Sequence, residues 1–173
     1  MNLLTAKPAI DFYFDFSSPY SYIASEWVEA VAARHGRAVQ WHAILLGVTF
    51  QAAELRSPVS HPIKREYSIR DFGRSASFAG LRAYFTRGTD LSDVATLSTV
   101  VTASGLDAPA ALAAYTDPLW KERLKRENDA AIASGVFGAP FFIVDGEPFW
   151  GNDRRGQIEQ WLAGQADFAH TVM

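Results

Sequence analysis

From Ile10 to Phe16 the chain reads I-D-F-Y-F-D-F. Asp11, Tyr13 and Asp15 fall on one side of this run; Phe12, Phe14 and Phe16 fall on the other. A period of two residues predicts a β-strand. Ser17-Ser18-Pro19 follows at once. Ser before Pro marks a helix start, because Pro lacks the N–H that the first helical position would leave unpaired. From Pro19 to His35 the apolar positions Ile23, Trp27, Val28 and Val31 have helical spacing, and Gly36 ends the segment. Val39 to Leu46 predicts a second strand. The opening is therefore strand, helix, strand, which favours a βαβ unit with a right-handed crossover.

The middle of the chain is less regular. Gly47 to Pro62 reads as irregular, with Pro58, His61 and Pro62 as breakers. Lys64 to Phe72 predicts a short helix. Gly73 to Thr89 carries Gly80 and Gly88 and reads as a loop around a short element. Ser92 to Ser104 has Val94, Leu97 and Val101 on one stripe and predicts a helix. Asp107 opens a helical stretch that reaches Ser134, with a break near Pro118. Turn residues then run from Gly135 to Pro140, and Phe141 to Val144 is a short apolar strand. Asp145-Gly146 is a two-residue hairpin signal, and Glu147 to Trp150 is its return strand. Asp153 is expected to cap a last helix through Leu162.

Composition removes several function classes. The chain has 173 residues, enough for one compact domain with a helical insertion. It has no cysteine, which excludes a disulfide framework, a Cys-ligated metal and dithiol exchange. A net charge of −3, with basic residues interleaved among acidic ones, gives no reason to expect nucleic acid or an anionic membrane as partner. His35, His42, His61 and His170 lack metal-ligand spacing, so no metal is expected. Met1 to Pro8 lacks the apolar run of a signal peptide and no stretch is long enough to span a bilayer. A cytoplasmic location is the default expectation. No G-x-S-x-G elbow surrounds Ser18, which argues against a serine hydrolase.

Three features carry candidate chemistry. Ser18 lies between a strand and a helix start, where unpaired N–H groups and the positive end of the helix dipole gather. Its local reading is an N-cap; its functional reading is a hydroxyl that donates to an anion. Gly138-Ala139-Pro140 precedes a strand, and on pattern alone Pro140 is a trans proline that opens it. After the hairpin comes Trp150-Gly151-Asn152-Asp153-Arg154. Asn152 or Asp153 can cap the last helix, and a carboxylate there can also hold a ligand's ammonium.

Together D-F-Y-F-D-F-S-S-P-Y-S-Y at Asp11 to Tyr22, G-V-F-G-A-P-F-F-I-V-D-G at Gly135 to Gly146 and F-W-G-N-D-R at Phe149 to Arg154 resemble the 2-hydroxychromene-2-carboxylate isomerase family. That family is related to kappa-class glutathione transferases and, more distantly, to DsbA-like oxidoreductases. The resemblance implies an α/β thioredoxin-like fold, βαβ then ββα, with an α-helical insertion between the halves. Residues 1–46 and 135–173 would form the thioredoxin-like domain and 47–134 the insertion. In that fold the proline at position 140 is cis, and Ala139 offers its backbone to a peptide-like ligand.

The family implies glutathione as cofactor. Ser18 then stands where a redox cysteine would otherwise be and hydrogen-bonds the glutathione sulfur. Ala139, beside Pro140, pairs with the cysteinyl unit, Asn152 and Asp153 hold the γ-glutamyl end, and Lys64 lies near the glycyl carboxylate. Tyr20 and Tyr22, next to Ser18, are candidates for touching an aromatic substrate. The implied activity is isomerisation of an aromatic or bicyclic carboxylate: the thiolate adds to an activated double bond, rotation follows, and the thiolate leaves. The alternatives are a kappa-like transferase acting on electrophiles and a non-catalytic thioredoxin-fold binding protein. A small-molecule substrate and a homodimer are the expected partners. The chain departs from the family in its middle, where Ser77 to Leu81 run almost directly into Arg82 to Phe85, so the insertion is shortened.

A free thiol with a pKa near about 8.5 is only about 3% thiolate at pH 7. Making it mostly thiolate needs a shift of about two units, or about 2.7 kcal/mol. A hydrogen bond to a charged group supplies about 1.5–3 kcal/mol and a helix dipole about 0.3–1 kcal/mol. Ser18 and a helix start are together of the required size.

Overall fold

The computed structural model describes residues 7–78, with side chains through Ser75, and residues 93–165. The chain runs β1 (Ile10–Phe14), α1 (Pro19–Arg34), β2 (Val39–Ala43), α2 (Leu46–Ala52), α3 (Pro62–Phe78), α4 (Val94–Ala103), α5 (Ala108–Thr116), α6 (Pro118–Ala133), β3 (Phe141–Val144), β4 (Glu147–Trp150) and α7 (Arg155–Leu162). The strands form one sheet in the order β2-β1-β3-β4. β1 and β2 are parallel, joined through α1, while β3 pairs antiparallel with β1 and with β4. This is the α/β thioredoxin-like arrangement, βαβ followed by ββα, with helices between the halves. No helix among the described residues is long and apolar enough to cross a membrane.

The two-residue period of the strands sorts their side chains into two cores. Ile10 and Phe12 of β1 and Phe142 and Val144 of β3 meet α1 through Ala24, Trp27, Val28 and Val31, and α7 through Ile158. Tyr13 and Phe141 point the other way, into a second cluster with Ile44, Ala131, Val136 and Ala139. β1 and β3 thus supply side chains to cores on both faces of the sheet, and β3 is continuously apolar for that reason. α6 supplies Ala131 to the second cluster, so it belongs to the body of the fold although it lies within 47–134. Its buried Asn128 also accepts the Leu45 N–H at 2.8 Å, which fixes the chain as it leaves β2.

Several boundaries differ from the sequence expectation. β1 ends at Phe14, and Phe16 is 79% exposed rather than continuing the Phe12 face. β2 ends at Ala43, and the Gly47 to Pro62 stretch holds α2 and a 3-10 turn at Pro58–Ser60. α2 starts where it does because Asp15 Oδ2 accepts the Leu46 N–H at 2.7 Å, a cap from a distant part of the chain. α3 is longer than the Lys64 to Phe72 segment at both ends. The remainder of the Gly73 to Thr89 stretch, from residue 79, lies outside the described residues. The break near Pro118 is real: Asp107 caps α5 and Asp117 caps α6. Asp153 does not cap α7. It sits in a 3-10 turn, Asn152–Arg154, and the N-cap position of α7 is Arg154 with no side-chain cap.

Candidate functional site

Two chain segments far apart in sequence meet at the end of β1. The antiparallel register pairs Tyr13 with Phe141. Two residues further along, the pairing direction brings Ala139 level with Asp15, at the mouth of the Ser17-Ser18 loop. The Ala139–Pro140 peptide bond is cis, as the thioredoxin-like resemblance implies and contrary to the local reading of a trans strand-opener. Ser18 Oγ donates to the Ala139 carbonyl at 3.0 Å and accepts the Ser21 N–H at 3.2 Å. Ser18 is therefore the N-cap of α1, as its local pattern predicts, and also the link between the two segments. Asp15 holds the loop from beneath: its Oδ1 accepts both the backbone N–H and the hydroxyl of Ser17, each at 2.6 Å.

These residues border a cavity of about 640 Å³, well inside the range of small-molecule sites. Ser17, Ser18 and Pro19 form its floor, with Ala139 and Pro140 beside them. Leu46 and Phe50 of α2 and Val59 form an apolar wall. Ser68, Asp71 and Ser75 of α3 form a polar one, and Trp150 to Asp153 close the remaining side. Trp150 packs against Gly138 through its indole nitrogen: a Cβ there would come within 2.5 Å of Nε1. Only glycine lets the ring reach that position.

Of the candidate site residues, Ser18, Tyr20, Ala139, Pro140, Asn152 and Asp153 all line the cavity. Asn152 uses its side-chain oxygen to accept the Trp27 indole N–H at 2.9 Å, so it is anchored to the core. Asp153 is largely exposed, with Arg154 at 3.2 Å. Tyr22 lies outside the lining. It is two residues beyond Tyr20 on a helix, which turns it about 200° away. Lys64, exposed in the first turn of α3, is also outside the lining.

Asp71 escaped the sequence reading. The Tyr20 hydroxyl donates to its Oδ2 at 2.6 Å, and Arg74 reaches its Oδ1 at 3.1 Å. Burial and this hydrogen bond push the Tyr20 phenol well above its ordinary value. The same bond, aided by Arg74, holds the Asp71 carboxyl below the usual carboxylate range. At neutral pH the pair is a phenol donating to a carboxylate. The neighbouring helix positions Glu66, Tyr67 and Arg70 are exposed. The signal for Asp71 lay only in its spacing with Ser68 and Ser75, which puts three small polar residues on one side of α3.

The profile of the DSBA-like thioredoxin domain family matches residues 9–85 and 81–163. A 2-hydroxychromene-2-carboxylate isomerase of Sphingobium xenophagum is 29% identical over 194 residues, spanning 88% of this chain and 97% of that protein. The aligned span exceeds the 173 residues of the chain, so the relative carries residues that this chain lacks. The two profile segments meet at 81–85, where the sequence places the shortening. Glutathione S-transferase kappa 1 of Caenorhabditis elegans is 35% identical over 72 residues, 41% of this chain and 32% of that protein. A solved structure of a 2-hydroxychromene-2-carboxylate isomerase superposes with a TM-score of 0.76 at 25% identity, covering 90% of this chain and 95% of that one. The chain belongs to the DSBA-like thioredoxin domain family, and its similarity extends over most of its length to 2-hydroxychromene-2-carboxylate isomerases.

Proposed function

We propose that the chain binds glutathione at the α1 N-terminus and uses it to isomerise an aromatic or bicyclic substrate. The observation that carries this reading is Ser18: it is 3% exposed, it lines the cavity, and its hydroxyl links the first turn of α1 to the Ala139 backbone. The chain has no sulfur nucleophile of its own, since it lacks cysteine. Bound glutathione would supply one.

The residues present fit that ligand. Ser18 has one hydroxyl proton, now donated to the Ala139 carbonyl, and a hydroxyl rotor can turn it toward a sulfur without moving the backbone. Ala139, before the cis bond, presents peptide groups for a peptide-like ligand. Asp153 offers a carboxylate to an ammonium. Leu46 and Phe50 add apolar lining to the cavity, and an apolar surrounding strengthens any hydrogen bond made to a bound sulfur. A kappa-like transferase is the second reading, favoured by the match to the nematode enzyme. Both readings use the same thiolate.

Calorimetric titration with glutathione and with S-methylglutathione tests the proposal. The expected result is clearly tighter binding of glutathione, because only its sulfur can ionise and accept from Ser18. Equal affinity for the two would remove the thiolate from the account. Assaying chromene isomerisation beside conjugation of a generic electrophile then separates the two readings.

A further inference from the structure

An asparagine amide has two ends of opposite character: its oxygen accepts hydrogen bonds and its nitrogen donates two. Which end a ligand meets depends on what holds the other. For Asn152 that holder is Trp27. An indole nitrogen can only donate, and Trp27 Nε1 donates to Asn152 Oδ1 at 2.9 Å. The oxygen is thereby engaged, and Nδ2, with its two protons, stands on the branch of the amide turned away from Trp27. Asn152 itself lines the cavity.

Trp27 is a firm support. It is 7% exposed and belongs to the core that α1 forms with β1 and β3. The Phe142 ring lies 5.2 Å from its own, and the Arg155 guanidinium carbon lies 5.9 Å from it. An indole packed among these groups keeps its N–H aimed at Asn152. Turning the Asn152 amide over would set donor against donor and leave a buried N–H unpaired, which disfavours the flipped form by about tenfold or more.

Asp153 comes next in the chain. Its Oδ1 lies over Gly151, where φ is 110° and a Cβ would come within 2.5 Å of that oxygen. Its Oδ2 pairs with Arg154 at 3.2 Å, which offsets its charge. Two donors on Asn152 beside an acceptor on Asp153 complement a carboxylate and an ammonium carried on one carbon.

We propose that Trp27 is a positioning residue for the amino-acid end of the ligand: by holding Asn152 Oδ1 it commits Asn152 Nδ2 to the α-carboxylate of a γ-glutamyl group, with Asp153 facing the ammonium. The inference deepens the glutathione reading and rests on a γ-glutamyl peptide occupying the cavity, but it requires no thiolate.

The test uses a sulfur-free pair, γ-glutamyl-alanyl-glycine and 4-aminobutyryl-alanyl-glycine, which differ only in the α-carboxylate. Each is titrated calorimetrically into the whole chain. The wild type is expected to bind the γ-glutamyl peptide at least about tenfold more tightly, the size of one charge-assisted hydrogen bond. In Trp27→Phe the amide loses its fixed sense, and this preference is expected to fall at least about threefold. Asn152→Asp keeps an oxygen for Trp27 but puts a second, charged oxygen in place of the donors, and there the preference is expected to vanish. A role in packing alone would weaken both peptides alike and leave their ratio unchanged in Trp27→Phe, which would overturn the proposal. Equal affinity of the two peptides for the wild type would also overturn it, as would a preference that survives Asn152→Asp. Exchange of the Trp27 indole proton, followed by NMR, reads the same link without altering the core. It should quicken in Asn152→Ala, and an unchanged rate would contradict the proposal. Because the pair lacks sulfur, equal affinity for glutathione and S-methylglutathione would sink the thiolate reading and leave this one standing.

Discussion

Ser18 has a single proton to give, and its present acceptor is the Ala139 carbonyl. Turning that proton to a thiolate exchanges a bond worth about 0.5–1.5 kcal/mol for one worth about 1.5–3 kcal/mol. The net gain is about 1–1.5 kcal/mol, or roughly one pKa unit. Ser18 alone thus accounts for about half of the shift that a mostly ionised thiol needs at neutral pH. The α1 N-terminus must supply the remainder, which exceeds the usual surface value and lies within the up to about 2 kcal/mol of a partly buried helix end. Gly138 shows how tightly the surrounding residues are set. Gly138→Ala forces the Trp150 indole from its place, because a Cβ would lie 2.5 Å from Nε1. Overpacking of this kind costs about 1–3 kcal/mol. Chemical denaturation should show the variant destabilised by that amount, with its tryptophan fluorescence altered; a variant of wild-type stability would mean the ring has room to move.

At the scale of elements, the hairpin that delivers Trp150 and Asn152 is anchored by charge. Asp145 and Gly146 occupy the left-handed region, with φ of 55° and 88°, as a two-residue turn of this kind requires. Arg37, in the loop after α1, grips Asp145 with two hydrogen bonds of 2.6 and 2.7 Å. These bonds hold the Asp145 carboxyl below the usual carboxylate range. A depressed folded-state pKa means that the unfolded chain takes up the proton first. The stabilisation is therefore complete above the ordinary value near about 4 and is lost as pH falls through the folded value. Asp145→Asn keeps a residue that tolerates positive φ but removes the titration. Denaturation midpoints measured from pH 6 downward should fall less steeply below pH 4 for the variant than for the wild type. Parallel curves would deny the pair its role.

The elements also show what was legible in the chain. β1, α1 and the β3–β4 hairpin follow from local patterns, because period, cap and turn chemistry all lie within a few residues of one another. α2 was not legible, since its start depends on Asp15 and on the Asn128 anchor of Leu45, side chains 31 and 83 residues away. Leu45 and Leu46 instead read as a continued strand. Asp153 has a capping residue's chemistry without a capping role, because a 3-10 turn intervenes before α7. The part of the cavity lining at Ser18 and Ala139 was visible in the sequence. Asp71 was not, because a polar residue on a polar helix looks solvated until Tyr20, 51 residues earlier, is brought to it.

Across the whole molecule, one sheet with two cores does the positioning. β1 and β3, which supply side chains to both cores, hold the serine loop and the cis-proline loop at one sheet end. The helices between the halves then wall the cavity that those loops open. α3 contributes its wall while keeping much apolar surface outward, with Ile63 84% exposed, and Tyr20 is what ties it to α1 through Asp71 and the edge of Phe72. The sheet carries the serine and cis-proline loops, and α3 adds Ser68, Asp71 and Ser75 to the cavity lining. The proposed function depends on a borrowed sulfur being kept negative by Ser18. Titrating bound glutathione by its ultraviolet thiolate absorbance, in wild type and in Ser18→Ala, tests this most directly. The expected result is a bound thiol mostly ionised at pH 7 in the wild type, with its pKa about one unit higher in the variant. The same thiolate fraction in both proteins would contradict it.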